Sequence, residues 1–282
     1  MSPDATKRSA AEPLWHIAFY TFVTLPDPDA VAACLRELTL NLTGSILVAQ
    51  EGINGVLAGP LSALDAFERA LTDDAAFHGK FVGTVFKRSA CTTTPFARMK
   101  VHCKKEIVAF GVEGVSAASA ASSVSPQAWR ELIAQHDVVV IDNRNSFEYR
   151  LGKFKSAIDP KVANFRDFRK YVETNSAEWK AQGKRVAMYC TGGIRCEKSS
   201  SWMRDQGLEV FQLEGGILNY FQSMPDAEKD WDGECFVFDN RIALNTKLQE
   251  TETTLEQVYD AELDGQDGQW RITRARRLAA AS

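Results

Sequence analysis

The stretch RVAMYCTGGIRCEKSSSWMRDQG, residues 185–207, contains in order a strand, a glycine-rich loop and a helix. The run VAMY that follows Arg185 is apolar, which predicts a strand buried inside a parallel sheet. We expect the helix to run from about Glu197 to Gln206, with Gly207 ending it. Cys190 therefore lies between the end of a central strand and the start of a helix, the place at which open α/β sheets bind ligands.

The loop carries several features that favour a reactive thiol at Cys190. Gly192 and Gly193 permit tight or left-handed backbone conformations, so that successive N–H groups can turn toward the sulfur. The positive end of the following helix and the guanidinium of Arg195 add to this effect and stabilise a thiolate or a persulfide. The alternative is that Cys190 is a small buried hydrophobe, the ordinary role of a free cysteine. The glycine pair and the arginine favour a nucleophile.

The spacing between Cys190 and Arg195 separates two chemistries. The motif is C-x4-R, shorter than the loop with which cysteine phosphatases surround a phosphate. Because the smaller ring fits a sulfur atom better than a phosphoryl group, the spacing favours sulfur chemistry over a cysteine phosphatase. Cys196 has two open interpretations. It either resolves an oxidised or sulfur-loaded Cys190 as a disulfide, or it packs the first turn of the helix.

Strands and helices alternate on both sides of the loop. The apolar run VVVI ends at Asp142, and the strand EVFQL leads into a Glu-Gly-Gly turn. Ser125 and Pro126 have the residue types of an N-cap and a first helical position. This alternation predicts an α/β domain with a mainly parallel, doubly wound sheet, and we place it at residues 124–235.

The N-terminal part predicts a different domain, over residues 14–111. Its order of β-rich and helical patterns is β-α-β-β-α-β, which is typical of a ferredoxin-like α+β fold. Helices are expected after Asp27-Pro28 and from Pro60, and the segment EGING (51–55) is interpreted as a turn between two strands. A further strand is expected within 81–90.

The two domains are separated by the small, polar stretch VEGVSAASAASSV, residues 112–124, and a C-terminal extension occupies 236–282. The extension shows a weak helical pattern over 247–262 and ends near the basic run RITRARR, residues 271–277.

Composition limits the classes of function. The chain has 282 residues, 45% of them hydrophobic, and a formal net charge of -4, which argues against a DNA-binding protein coated in basic residues. We find no apolar run of membrane-spanning length and a polar N-terminus, so we expect a cytoplasmic protein without a membrane partner. Its 6 cysteines form no C-x-x-C pair, which favours reduced thiols and no metal site.

One local stretch is basic despite the acidic whole. Residues 80–105 contain no aspartate or glutamate, and such a stretch can hold RNA phosphates. The RNA-binding candidates are Lys87, Arg88, Arg98, Lys100, Lys104 and Lys105. The alternative is a solvated face of a small sheet, and Phe96 and His102, which could stack on bases, are equally compatible with core positions.

Three motifs of the second domain resemble the rhodanese superfamily. They are IDNR with Asp142 and Arg144, the loop YCTGGIRC, and QLEGGILNY at 212–220. The resemblance implies that the loop cysteine can carry a persulfide and that Asp142 supports the fold near the site, although a solvated strand-end carboxylate is the alternative. The loop and support residues are Thr191, Gly192, Gly193, Ile194, Asp142 and Arg144.

Five ordered motifs over residues 15–245 resemble the bacterial tRNA uridine hydroxylase family: AQEGINGVLAG, PFARMKVHCKKEIVAFG, NFRDF, CTGGIRCEKSS and WDGECFVFDNRIAL. The resemblance implies oxygen-dependent conversion of the wobble uridine of tRNA to 5-hydroxyuridine, with molecular oxygen as co-substrate and the tRNA anticodon arm as partner. The catalytic residues would be Cys190, Arg195 and Cys196.

The chain departs from the family pattern at Asn143 and Lys153, where valine and histidine are usual. No cysteine follows Cys235, so we expect no metal-stabilised tail.

The chemistry at Cys190 is open between a thiolate that adds to C6 of uracil and a persulfide or sulfenic form that handles the oxidant. No flavin, haem or iron-site pattern is present in the sequence. The competing functions are a sulfurtransferase that passes on a persulfide, and a binding module that only holds an anion. The presence of Cys190 argues against a module that only binds an anion.

Overall fold

The computed structural model describes residues 13–279 except 74, 113, 116–121 and 261. The N-terminal domain consists of β1 (Leu14–Phe22), α1 (Pro28–Leu38), β2 (Thr43–Ala49), β3 (Gly52–Pro60), α2 (Leu61–Asp73), β4 (Lys87–Cys91) and β5 (Met99–Cys103). Its sheet has the order β4-β1-β3-β2-β5, in which the first four strands are antiparallel and β5 pairs parallel with β2. The expected ferredoxin-like order is present, and β5 extends it.

The two faces of this sheet have different partners. Ile17 and Phe19 of β1 are buried in the core beneath α1 and α2. Because side chains alternate along a strand, His16 and Tyr20 point to the opposite face. That face contacts the second domain through Tyr20 and Glu197, and the C-terminal part through His16 and Asp239.

The turn expected in EGING lies earlier, at residues 50 and 51, and Asn54 and Gly55 are inside β3. Tertiary contacts explain the difference. The Asn54 side chain donates to the Ile107 carbonyl at 3.0 Å, and a Cβ at Gly55 would lie 2.4 Å from the Phe19 ring. The strand expected within 81–90 is limited to β4, because Phe81 turns into the core against Phe77.

The second domain consists of β6 (Ser122–Val124), α3 (Pro126–Leu132), β7 (Val138–Asp142), α4 (Ser146–Leu151), β8 (Gly152–Phe154), α5 (Phe168–Ala181), β9 (Arg185–Tyr189), α6 (Ile194–Asp205), β10 (Val210–Leu213), α7 (Gly216–Ser223) and β11 (Trp231–Gly233). Its main sheet, β6-β10-β9-β7, is parallel throughout. Ser125 caps α3 by accepting from the Ala128 amide, as its residue type predicts. Helix α6 begins at Ile194, three residues earlier than expected.

The C-terminal part contains β12 (Cys235–Phe236), β13 (Ala243–Leu244), α8 (Leu255–Val258) and α9 (Gly265–Ala279). The helix expected over 247–262 is wrong except for α8, because the Asn245 side chain accepts from the amides of Lys247 and Gln249 and holds a turn there. The basic run 271–277 lies in α9. Among the described residues, no helix combines the length and apolarity needed to cross a bilayer.

Polar contacts at two places join the domains. Buried Lys198 of α6 forms ion pairs with Glu51 and Glu106. In the C-terminal part, Arg241 pairs with Asp239 at 2.7 Å and donates to the Ser89 hydroxyl of the N-terminal domain at 2.8 Å. The Lys198 pairs hold the N-terminal domain against α6, which follows the cysteine loop, and the Arg241 contact holds it against the C-terminal part.

Candidate active site

The sulfur of Cys190 lies inside the loop that links β9 to α6. The Gly193 amide donates to Cys190 Sγ at 3.1 Å, and Cys190 is only 1% exposed. Gly193 has φ +100°, in the left-handed region that favours glycine. Gly192 has open space where a side chain would be, so the loop is accessible on that side.

The Gly-Gly element that follows β10 closes the loop from the other side. The Ile217 amide donates to the Cys190 carbonyl at 3.0 Å, and the Leu218 amide to the Thr191 carbonyl at 3.1 Å. Gly216 has φ +69°, and a Cβ there would lie 2.4 Å from the Cys190 carbonyl oxygen. Only glycine permits this close approach, which fixes the backbone that leaves the cysteine.

The environment of Cys190 favours the thiolate. Burial raises the pKa of the thiol, but hydrogen bonds from the Cys196 side chain, the charge of Arg195 and the backbone amides of both residues lower it to about 5. The pKa of Cys196 is raised by burial and by its bond to Cys190. The two thiols are therefore neighbours with unequal acidity, Cys190 being the more acidic and Cys196 its hydrogen-bond donor.

Arg195 is held by a residue that the sequence analysis missed. Its guanidinium forms two hydrogen bonds of 2.8 Å with the carboxylate of Glu148, and both side chains are buried. Burial raises the pKa of Glu148, but Arg195 lowers it more, so the net shift is downward. The pattern Asn145-x-x-Glu148, a capping box at the start of α4, is recognisable in the sequence. Its link to Arg195 depends on the fold.

The N-terminal domain also reaches the loop. Lys87 Nζ donates to the Gly192 carbonyl at 2.8 Å, and Tyr20 donates to Glu197 Oε2 at 2.8 Å. The Tyr20 hydroxyl would lie 2.9 Å from a Cβ on Gly193. Nothing in the spacing of these residues predicts that they meet, because they belong to different domains.

Asp142 and Arg144 form a buried support beneath the loop. Arg144 donates to both carboxylate oxygens of Asp142, at 2.9 and 2.6 Å, and Tyr189 Oη donates to Asp142 at 2.7 Å. A solvated carboxylate at this strand end is therefore wrong, since Asp142 is fully buried. Asn143, a departure from the family pattern, donates to the Ser199 hydroxyl of α6 at 2.9 Å.

The other loop residues border the sulfur. Thr191 and Gly192 are half-buried at the rim, and Ile194 begins α6. Among the described residues, no group of His, Cys, Asp or Glu side chains is arranged to hold a metal ion.

The RNA-binding candidates separate into two groups. Lys87 is directed into the loop, and Arg88 forms ion pairs with Asp65 and Glu68 of α2 at 2.8 and 2.6 Å, so neither presents a free cation to solvent. The remaining four are exposed or half-buried along β5 and its continuation: Arg98, Lys100, Lys104 and Lys105.

Two family models match the chain. The UPF0176 acylphosphatase like domain matches residues 15–107, and the rhodanese-like domain matches residues 125–223. These matches confirm the predicted succession of a ferredoxin-like and a rhodanese-like domain.

Three proteins named tRNA uridine(34) hydroxylase are similar to the chain over most of its length. The protein from Nitrobacter winogradskyi is 46% identical over 238 residues, which cover 83% of this chain and 92% of that protein. The protein from Jannaschia sp. is 43% identical over 236 residues, 83% and 76% of the two chains. The protein from Deinococcus radiodurans is 41% identical over 249 residues, 87% and 81% of the two chains.

Proposed function

The chain belongs to the tRNA uridine(34) hydroxylase family, and on that premise we propose that Cys190 is essential for oxygen-dependent conversion of the wobble uridine of tRNA to 5-hydroxyuridine. The observation that carries the proposal is the geometry of the loop, in which the Gly193 amide donates to Cys190 Sγ at 3.1 Å. The environment of the thiol lowers its pKa to about 5, which favours the thiolate, the nucleophilic form.

A thiolate suits this substrate because C6 of uracil is electrophilic. Addition of the Cys190 sulfur to C6 forms an S–C bond and moves an electron pair toward the C4 oxygen, which makes C5 nucleophilic. Carbon 5 then takes one oxygen atom from molecular oxygen, and an external donor supplies the two electrons that reduce the other atom to water. Loss of the C5 proton and departure of the thiolate restore the pyrimidine ring.

The domain arrangement suggests how the tRNA is held. We assign binding of the anticodon arm to the N-terminal domain, residues 14–111, through Arg98, Lys100, Lys104 and Lys105. Residues 124–235 form the catalytic domain, and 236–282 form an extension. Phosphate contacts fix the register of the RNA, while the wobble base leaves its stack to reach the open side of the loop at Gly192.

Complementation of a strain that lacks the modification tests this function. We expect the wild-type gene to restore 5-hydroxyuridine in total tRNA nucleosides measured by mass spectrometry, and the Cys190→Ala gene to restore none at equal protein level. Restoration by the Cys190→Ala variant would exclude the cysteine from the chemistry.

A second candidate function is sulfur transfer, supported by the rhodanese-like domain match and by the Gly193 amide directed at the sulfur. An N–H donor there stabilises a persulfide anion as well as a thiolate. Incubation of the purified protein with thiosulfate, followed by intact-mass measurement, tests it. A gain of one sulfur atom on Cys190 that is passed to cyanide, in a protein that leaves tRNA nucleosides unaltered, would favour the transferase.

A further inference from the structure

The charge that Arg195 offers to Cys190 is partly neutralised by a carboxylate. Arg195 shares both of its hydrogen-bonded nitrogens with the Glu148 carboxylate, and the pair is buried. A guanidinium in a bidentate pair with a carboxylate presents less net charge to a third group than a free guanidinium does. A second cation near the sulfur can therefore add to the effect of Arg195.

We propose that Lys87 of the N-terminal domain is a positioning residue that holds Cys190 as a thiolate, so that the active site is complete only when both domains are joined. This inference rests on the proposed function in one respect, that Cys190 is the reacting group. It assigns to Lys87 a role in catalysis instead of contact with RNA phosphates.

Strand alternation directs Lys87 toward the loop. Lys87 and Arg88 are adjacent at the start of β4 and point to opposite faces of the sheet. Arg88 points to α2, where it meets Asp65 and Glu68. Lys87 points to the second domain, where its ammonium donates to the Gly192 carbonyl at 2.8 Å. The pairing of β4 with β1 thus determines which of the two cations enters the site.

Tyr20 provides a second contact for this ammonium. Lys87 Nζ lies 5.1 Å from the centroid of the Tyr20 ring, a cation–π distance. The Tyr20 hydroxyl is bonded to Glu197, which keeps the ring fixed over the loop. An ammonium has three N–H donors. Gly192 accepts one, which leaves the others for a substrate oxygen or the sulfur.

Charged and titratable groups from four elements surround Cys190. They are Tyr20 on β1, Lys87 on β4, Glu148 on α4, and Arg195, Cys196 and Glu197 on α6. Burial lowers the pKa of Lys87, whereas the thiolate of Cys190 and the carboxylate of Glu197 raise it. Burial raises the pKa of Glu197, and Lys87 and Tyr20 oppose that shift. The ammonium and the thiolate therefore stabilise each other.

The first test measures the rate of Cys190 alkylation by iodoacetamide against pH in four proteins. Lys87→Gln removes the charge but retains an N–H donor, and Lys87→Arg retains the charge. The matched control is Lys80→Gln, because Lys80 belongs to the same domain and also donates to a backbone carbonyl, that of Thr24, at 3.0 Å. We expect Lys87→Gln to raise the midpoint by about one pH unit, which slows alkylation about tenfold below the midpoint. Lys87→Arg and Lys80→Gln should follow the wild type. A Lys87→Gln profile that superimposes on the wild-type profile would overturn the inference.

The second test uses the reciprocity of linked titrations and avoids any change at the domain contact. Cys190→Ser is nearly isosteric and removes the thiolate. The Lys87 side-chain signal, followed by NMR in protein with labelled lysine and assigned by its absence from Lys87→Arg, should titrate at lower pH in Cys190→Ser than in wild type. Equal Lys87 midpoints in the two proteins would refute the inference even if Lys87→Gln does not fold.

Neither test uses tRNA, so the two proposals can fail separately. If Cys190→Ala still restores 5-hydroxyuridine, the proposed function is wrong while a Lys87-dependent thiol midpoint would stand. If the alkylation midpoint of Cys190 does not depend on Lys87 while Cys190→Ala abolishes the modification, the proposed function stands and the role of Lys87 is wrong.

Discussion

Replacing Glu148 with Gln separates the two effects of the buried carboxylate, on stability and on the sulfur. The change removes the negative charge that Arg195 contacts with two bonds of 2.8 Å. Arg195 is then a buried cation without a counter-charge. Loss of one partner of a buried ion pair costs about 3–5 kcal/mol of unfolding free energy. For a chain of this size the cost corresponds to roughly 6–20 °C in melting temperature, at about 2–4 °C per kcal/mol.

The sign of the pH dependence follows from the pKa of Glu148. Although burial raises this pKa, the charge of Arg195 lowers it overall, below the usual glutamate value of 4.5. A lowered pKa in the folded state stabilises the fold above the unfolded value, and this contribution is lost as the pH falls through the folded value. We therefore expect the stability gap between wild type and Glu148→Gln to be full at neutral pH and to close in acid.

The same variant, although less stable, should make the Cys190 thiol more acidic. An uncompensated Arg195 stabilises the thiolate more strongly, so the pKa of Cys190 should fall further below about 5. Urea unfolding measures the stability, and iodoacetamide alkylation measures the thiol. The control is Glu173→Gln, which breaks an exposed pair with Arg169 of 3.4 Å and should cost less than about 0.5 kcal/mol. Glu148→Gln within about 1 kcal/mol of the wild type, with an unchanged thiol, would refute this reasoning.

Two further predictions concern the loop backbone and the RNA surface. Gly216→Ala should abolish tRNA modification and raise the pKa of Cys190, because its Cβ would lie 2.4 Å from the Cys190 carbonyl at a φ of +69°; alkylation kinetics and nucleoside analysis check this, and a normal loop in Gly216→Ala would contradict it. Reversing the charge of Arg98, Lys100 and Lys104 together should weaken tRNA binding and flatten its dependence on salt by about one log unit of slope per lost contact. Filter binding over a salt titration measures the slope, Cys190 alkylation serves as the internal control, and unchanged affinity would remove this strand from the RNA site.

Local patterns were sufficient to predict five elements of the second domain, namely α3, β7, β9, α6 and β10. The strand RVAMY coincides with β9, and the N-cap pairs Asp27-Pro28 and Ser125-Pro126 each begin a helix where expected. These signals depend on residues within one turn or one strand, so they are readable without the fold. The sequence also predicts that Cys190 lies between a strand and a helix.

The polar partners of the loop could not be predicted, because they are non-local. Glu148 is 47 residues from Arg195, and Lys87 is 105 residues from Gly192. The residue types of Asn54 and Gly55 are typical of a turn, yet both lie in β3, where they contact Ile107 and Phe19. Arg88 lies in a basic stretch that suggests an RNA contact, but two carboxylates of α2 form ion pairs with it. In each case the deciding group comes from another element.

The most direct test of the central claim, that the loop makes Cys190 a thiolate at neutral pH, is the midpoint of alkylation for each cysteine of the wild-type protein. Peptide mass spectrometry after iodoacetamide pulses over a pH series gives these midpoints in one experiment. We predict a midpoint near 5 for Cys190, against pKa values raised mainly by burial to about 11 for Cys91 and about 12 for Cys235. A Cys190 midpoint in the ordinary thiol range, about 8.5, or reaction of Cys196 before Cys190, would contradict it.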